Sequence, residues 1–450
     1  MSELRLRADA GLRRWGRTLV GGSPLRLLRL SPAGARLADS WFLGEPVADT
    51  AAQRTLARRL VRAGIAHPHY QRAELAADDV TVVIPVRDHA SRLPELRAAL
   101  GEVARVIVVD DGSAEPVPDA DIRHATARGP AAARNAGWRI AATELVAFVD
   151  ADALPEPGWL APLLRQLADP EVAMVAPRIR SAPGRSALAR YERLCSSLDL
   201  GGAPAEVRPG SVVSYLPSAA LLVRTDALCR LGGFDEALRF GEDVDLVWRA
   251  VAAELRVRYE PSSIVGHEPR RCWFGWLRQR FDYGTSAAAL AKGHGNAVAP
   301  VRVSRWSALS WLAALAGRPL LGVAMAAGTT ALLPRKLTSL GLPVTVSLRL
   351  AVSGHAGAGR MLAGGVAREW WPVAVPLLLR GRWGGVALAL TAARHLPRWW
   401  YARPDLDVTR WLAATVADDL AYGAGVWWGC WRLRTVTPLL PDLSDWPGRQ

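Results

Sequence analysis

Apolar positions in the middle of the chain come in short unbroken runs. VTVVIPV (80–86), the front of VARVIVVDDGS (103–113) and the front of LVAFVDAD (145–152) are rich in β-branched residues. Continuous runs of this kind mark strands covered on both faces. Amphipathic stretches separate them: SRLPELRAALGE (91–102), then GPAAARNAGWRIAAT (129–143). Strand, crossover helix and strand predict a parallel α/β sheet, and residues 79–295 read as one α/β domain. Polar groups gather where these strands end, the edge at which open α/β sheets bind ligands.

The flanking regions carry other patterns. In residues 1–78, RTLVGGSPLRLLRL (17–30) predicts two strands about a Gly-Gly-Ser-Pro turn. SPAGARLADSWFLG (31–44) predicts a helix capped by Ser31 with Pro32 at its first position. DTAAQRTLARRLVRAG (49–64) predicts a second, with Leu56, Leu60 and Val61 on one side and Gly64 ending it. Together they suggest a small winged-helix-like α+β unit. Residues 296–450 change again. Three weakly polar stretches, 306–333, 371–393 and 411–431, are each long enough to cross a bilayer. Each is interrupted: by Arg318 and Pro319, by Arg380 and Arg382, and by Asp418 and Asp419. Tryptophans stand in pairs beside arginines (Trp370 and Trp371, Trp399 and Trp400, Trp427 and Trp428). That combination predicts a helical region associated with a membrane surface, with spanning helices or a soluble bundle as the alternatives.

Composition narrows the partners. Formal net charge is +14, and Lys292 and Lys336 are the only lysines. A chain whose cations are almost all arginine suits phosphate-bearing ligands, although an Ala- and Arg-rich composition also inflates arginine everywhere. No helix shows a dense basic face with polar readers, so nucleic acid is not an expected partner. Cys195, Cys229, Cys272 and Cys430 form no C-x-x-C pair. This argues against a zinc knuckle or a disulfide framework, and fits a reducing, cytoplasmic setting. The first twenty residues contain no apolar core of signal-peptide length.

Candidate chemistry lies at the strand ends. Asp110, Asp111, Gly112 and Ser113 make a tight turn whose carboxylates can accept from a base or a ribose, or simply form the turn. Downstream, ARGPAAARNAG (127–137) starts a helix at Pro130, with Arg134 and Asn135 one turn on, a setting that suits a diphosphate. Asp150 and Asp152, at i and i+2, project to one side of a strand that Pro155 and Pro157 then stop. Paired carboxylates there would hold Mg²⁺ or Mn²⁺ against substrate phosphates; a capped turn is the plain reading. In GEDVDLVWR (241–249), Glu242 and Asp243 begin a helix, favoured by its dipole or poised as a general base, and Asp245 is expected on the helix, exposed or paired. His267 follows a strand as a possible third metal ligand or diphosphate contact. Gln279 and Arg280 stand near Trp273, Phe274 and Trp276 as an acceptor-sugar path.

VTVVIPVRD, VVDDGS, ARNAG, FVDADALP and GEDVDLVWR, in this order, resemble the family 2 inverting glycosyltransferases of GT-A fold, across residues 79–290. The resemblance implies a nucleotide-diphosphate sugar donor. It places Pro85, Asp110, Asp111, Gly112, Ser113, Arg134, Asn135 and Asp150 on the donor side, with Asp111 on the nucleotide and Asp110 under the turn. It makes Asp150 and Asp152 the metal ligands and Asp243, beside Glu242, the base. The processive Gln-x-x-Arg-Trp is replaced by RQRFDYG (278–284), which argues against translocation. The layout is also similar to glycosyltransferases of the mycofactocin system, down to WLAATVADDLAYGAGVWWGCWRLRTVTPLLP (411–441). That similarity implies UDP-glucose as donor and β-linked transfer to a peptide-derived redox cofactor. It also implies an N-terminal unit that holds a precursor peptide, and work at the cytoplasmic face of the membrane. The alternative acceptor is a polyprenyl-phosphate carrier or cell-wall glycan. A vestigial binding module and a nucleotidyltransferase fit less well, because both the Asp-x-Asp and the Glu-Asp helix start are present.

Overall fold

A computed structural model describes residues 3–443 apart from 89 and 383. The chain divides into two compact units, Met1–Arg13 with Val20–Arg270, and Arg14–Leu19 with Arg271–Gln450. The α/β unit therefore ends one helix earlier than the expected limit at 295.

The N-terminal segment holds β1 (Leu4–Ala8), β2 (Arg13–Trp15), β3 (Thr18–Gly21), β4 (Arg26–Arg29), α1 (Pro32–Phe42), α2 (Ala51–Arg62) and β5 (Ala66–Tyr70). β1 pairs antiparallel with β5, and β2, β3 and β4 form a small sheet. Both helices start as their sequences demand: Ser31 accepts from the Gly34 N–H, and Thr50 from that of Gln53. Leu60 and Val61 are buried on α2, and Gly64 follows it with φ +67°.

The main sheet is built from β6 (Val80–Val86), α3 (Leu93–Leu100), β7 (Arg105–Asp110), β8 (Ile122–Arg123), α4 (Pro130–Trp138) and β9 (Leu145–Val149). β10 (Ala153–Pro155), α5 (Leu160–Gln166), β11 (Val172–Ser181), α6 (Ala187–Cys195) and β12 (Ala205–Glu206) come next. β13 (Ala220–Arg224), α7 (Thr225–Leu231), α8 (Glu242–Ala252) and β14 (Arg256–His267) complete it. Strand order is β10-β14-β11-β13-β9-β6-β7-β8, with β12 beside β14. β6 runs parallel to both β7 and β9, as the alternating runs predicted. Val80, Val82 and Ile84 of β6 and all of β9 are buried. Each such side chain contributes on the order of 1.5–3 kcal/mol. α4 lies so close to the sheet that a Cβ on Gly137 would stand 2.3 Å from a Val83 methyl. This contact sets the depth at which α4 presents Arg134. β13 is antiparallel to β9, and its start brings Ser218 and Ala219 to the end of β9.

The second unit is helical: α9 (Trp273–His294), α10 (Arg305–Leu315), α11 (Pro319–Leu337), α12 (Val344–Arg368), α13 (Trp371–Leu379), α14 (Gly384–Ala393), α15 (Leu396–Ala402) and α16 (Val408–Leu433). α9 and α16 pack through Ala287, Ala288, Val426 and Cys430. Among the described residues no helix is long and apolar enough to cross a membrane. The first two stretches break into pairs of helices where Arg318 precedes Pro319 and where Arg380–Arg382 intervene. The third stays whole as α16, but carries Asp418 and Asp419 near its middle.

Candidate active site

β7 delivers two carboxylates with separate duties. Asp110 is fully buried and accepts from the N–H groups of Ser113 (2.9 Å) and Val117 (3.2 Å), while Arg123 stands 3.1 Å away. Burial alone would raise its pKa; these hydrogen bonds and the Arg123 charge outweigh that and hold it below the ordinary carboxylate range. Asp111 accepts from the backbone N–H of Arg128 (2.9 Å) and of Gly129 (2.8 Å), and His124 Nδ1 lies 2.7 Å from it. The turn between needs glycine. Gly112 has φ +69°, and a Cβ there would lie 2.5 Å from the Ala127 nitrogen. Thus Asp111 ties the strand end to the segment entering α4.

Arg134 on α4 joins the two other motifs. Its Nη2 donates to Asp150 at 2.6 Å and its Nη1 to Glu242 at 2.9 Å. Burial disfavours the cation, but Asp150 and Glu242 more than restore it, and the guanidinium stays charged. β13 makes a second tie: the Asp150 N–H donates to the Ala219 carbonyl (3.0 Å), and the Ser218 N–H donates to Asp243 Oδ2 (3.3 Å). Asp243 Oδ1 accepts from the Val244 N–H at 2.8 Å. Glu242, Asp243 and Asp245 all sit in the first turn of α8, where the dipole favours them. Asp245 is buried and paired with Arg249 at 2.7 Å, so only the paired half of its expectation holds. Burial, then the Asp243 charge, push Glu242 up to about 7 against the pull of Arg134. Burial also raises Asp243, against the Val244 N–H and Arg134. A more basic carboxylate is the better proton acceptor.

Beside these groups lies a cavity of about 250 Å³, whose wall includes Pro85, Asp111, Arg134, Asp150, Asp152 and Arg270. Asp152 faces His267, Nε2 to Oδ2, at 3.4 Å, because Ala153 of β10 is in register with His267 of β14. Burial would lower the histidine, but Asp152 raises it; reciprocally, Asp152 is held low by His267 in spite of burial. Among the described residues no three side chains form a ready-made metal cluster. Two carboxylates on one wall still fit Mg²⁺ or Mn²⁺, hard ions that complete their shell with phosphate oxygens and water. His267, ion-paired, would have to give up its proton to join them.

The model of the family described as glycosyl transferase family 2 matches residues 81–222. A pre-mycofactocin glycosyltransferase of Mycobacterium tuberculosis (strain ATCC 25618 / H37Rv) is 40% identical over 450 residues, covering 95% of each chain. The chain belongs to glycosyl transferase family 2. Succinoglycan biosynthesis protein ExoU of Rhizobium meliloti (strain 1021) is 32% identical over 210 residues, covering 41% of this chain and 60% of that protein. Among solved structures, the mannosyltransferase PcManGT from Pyrobaculum calidifontis in complex with GDP-Man and Mn²⁺ is 18% identical, with TM-score 0.43, and the match covers 80% of this chain and 91% of that one.

In this glycosyltransferase, then, the GT-A α/β domain brings Pro85, Asp111, Arg134, Asp150 and Asp152 to one cavity, with Glu242 and Asp243 tied to it through Arg134 and β13. Other expected residues serve differently. Asp110 and Ser113 are buried beneath the turn, where Ser113 Oγ accepts from the Asp88 N–H. Arg134 spends both terminal nitrogens on carboxylates. Asn135 is not a donor contact: its amide bonds Phe234 in both directions, Glu236 and Trp138. Gln279 and Arg280 lie in the second unit. Gln279 donates to the Tyr283 hydroxyl (3.0 Å); Arg280 is buried, faces Asp418 at 3.3 Å and stacks on Trp276. Arg280 is therefore committed to helix packing instead of an acceptor path. Arg87 and Arg270, on the cavity wall, were missed, although PRR at 269–271, directly after His267 and Glu268, was a usable signal for Arg270. Glu236, which gathers Asn135, Arg128 and Arg139, left none.

Proposed function

We propose that this glycosyltransferase moves glucose from UDP-glucose onto pre-mycofactocin, a peptide-derived acceptor, with inversion to a β-linkage and in successive units. One observation carries the chemistry: Arg134 links the Asp150 wall of the cavity to the Glu242–Asp243 helix start. The departing diphosphate and the base then belong to one assembly. The acceptor is supported by the pre-mycofactocin glycosyltransferase that matches along 95% of its length.

Asp150 and Asp152 would hold Mg²⁺ or Mn²⁺, which when bound offsets the charge developing on the diphosphate. Asp111 and Arg270 flank the nucleotide end of the cavity. Asp243 takes the acceptor hydroxyl proton on Oδ2, the oxygen that accepts the long bond from Ser218. The freed oxygen attacks the anomeric carbon from the face opposite the diphosphate. Arg134 keeps Glu242 and Asp150 in place without entering the reaction. The N-terminal strands and helices, read as winged-helix-like, would meet a precursor peptide by strand addition.

The test is mass spectrometry of products from UDP-glucose, other UDP-hexoses and GDP-mannose, each with pre-mycofactocin. Hexose-sized mass steps with UDP-glucose, stopped by EDTA and restored by Mn²⁺, are expected. Transfer only to polyprenyl phosphate would replace this acceptor with the second reading, which the exposed apolar helices α10–α14 favour.

A further inference from the structure

The helices α10–α14 are built inside out for water. On α10 the buried positions are Ser307, Ala308 and Ser310, while Trp306, Leu309, Trp311, Leu312 and Leu315 are exposed. On α11, Gly322, Pro334 and Leu337 are buried, whereas Leu320 is 85% and Val323 66% exposed. α13 buries no residue and α14 only Gly384, while Leu377, Leu379 and Leu390 face outward. Polar contacts run through the interior: His355 of α12 meets Ser307 at 3.0 Å and Thr329 of α11 at 2.9 Å. Helices approach closely at glycine. A Cβ on Gly322 would lie 2.4 Å from the Ser310 carbonyl, and one on Gly359 2.4 Å from the Trp311 ring. A helix packed in water buries its leucines and exposes its serines. The reverse order, with small residues and hydrogen bonds inside, is how helices pack in lipid.

Charge identifies the lipid. Across residues 283–404 there are fourteen lysines and arginines and one acidic residue, Glu369; Arg302 faces Asp442, and Arg368 and Arg394 face Asp419, while Arg335, Lys336 and Arg380 are exposed. A second copy of this chain would bring the same positive field to the face and be repelled. Anionic headgroups complement it, and tryptophan and arginine suit the headgroup boundary. With no described helix able to cross, the helices must lie in the surface.

We propose that α10, α11, α13 and α14 form a docking face for one leaflet of an anionic bilayer, apolar side chains immersed and arginines on the headgroup phosphates. This does not depend on which sugar or acceptor the enzyme uses. The full chain, purified in mild detergent, is mixed with vesicles of phosphatidylcholine alone or with phosphatidylglycerol, the detergent is removed, and the vesicles are floated. Flotation with the anionic vesicles is expected, with tryptophan emission shifted to the blue. Each neutralised charge should lower partitioning about five-fold, so the triple variant Arg335→Gln, Lys336→Gln, Arg380→Gln should lose on the order of 10²-fold. Leu320→Ser with Leu390→Ser should weaken flotation further while UDP-sugar hydrolysis, read as a check of folding, persists. A detergent-free protein that stays in the dense fraction, as monomer or as dimer, overturns the proposal. Equal flotation with neutral vesicles, unmoved by the charge variant, overturns the anionic assignment.

Discussion

Replacing Arg134 by methionine keeps an unbranched apolar stem and removes the cation between Asp150 and Glu242. The arginine side chain is only 4% exposed, and it meets those carboxylates at 2.6 and 2.9 Å. Breaking a buried pair by deleting one partner costs about 3–5 kcal/mol, and here the cost falls on Glu242, whose side chain is 9% exposed, while Asp150 keeps the water of the cavity. Hydrogen–deuterium exchange over α4 and α8 reads this locally, and those amides should exchange on the order of 10²- to 10³-fold faster at pH 8. The sign of the pH dependence follows. Without Arg134, Glu242 binds its proton still more tightly in the folded state, and it already stands at about 7 with the arginine present. The penalty therefore grows as pH rises above about 7 and falls away below it, where Glu242 is protonated with or without the arginine. Adding Glu242→Gln removes one orphaned charge and should return part of the protection. Exchange within three-fold of the parent at pH 8 would refute the view that Arg134 clamps the two motifs.

Asp150→Asn with Asp152→Asn should abolish metal-stimulated sugar transfer while circular dichroism is unchanged; undiminished turnover would remove both from the metal site. Asp243→Asn should cost on the order of 10²–10⁴ in kcat and leave the donor Kd unaltered by calorimetry; a lost donor signal would give Asp243 another role. Because Asp243 is raised above the ordinary 3.8 and must be unprotonated to act, kcat should climb with pH above that value and the limb should vanish in Asp243→Asn. Asn135→Ala, which orphans partners at Phe234 and Trp138, should destabilise by about 1–3 kcal/mol per buried group left unpaired, yet leave donor KM in place; a large rise in donor KM would restore it as a ligand contact.

Local chemistry was readable along the chain. Continuous β-branched runs became β6, β7 and β9, Ser31 capped the helix it precedes, and Glu242 with Asp243 began a helix. Each rests on neighbours within a few residues, where periodicity and capping act. Tertiary structure decided what those residues touch. Arg134 meets a carboxylate 108 positions away only because α4 and α8 converge. Its neighbour Asn135, about 100° round the helix, instead meets Phe234 and Glu236. His267 reaches Asp152 through strand register. In the helical unit, sequence pattern assumes water outside and oil within. Which side of α10–α14 is covered depends on long-range packing, and there the serines and glycines went inward and the leucines out.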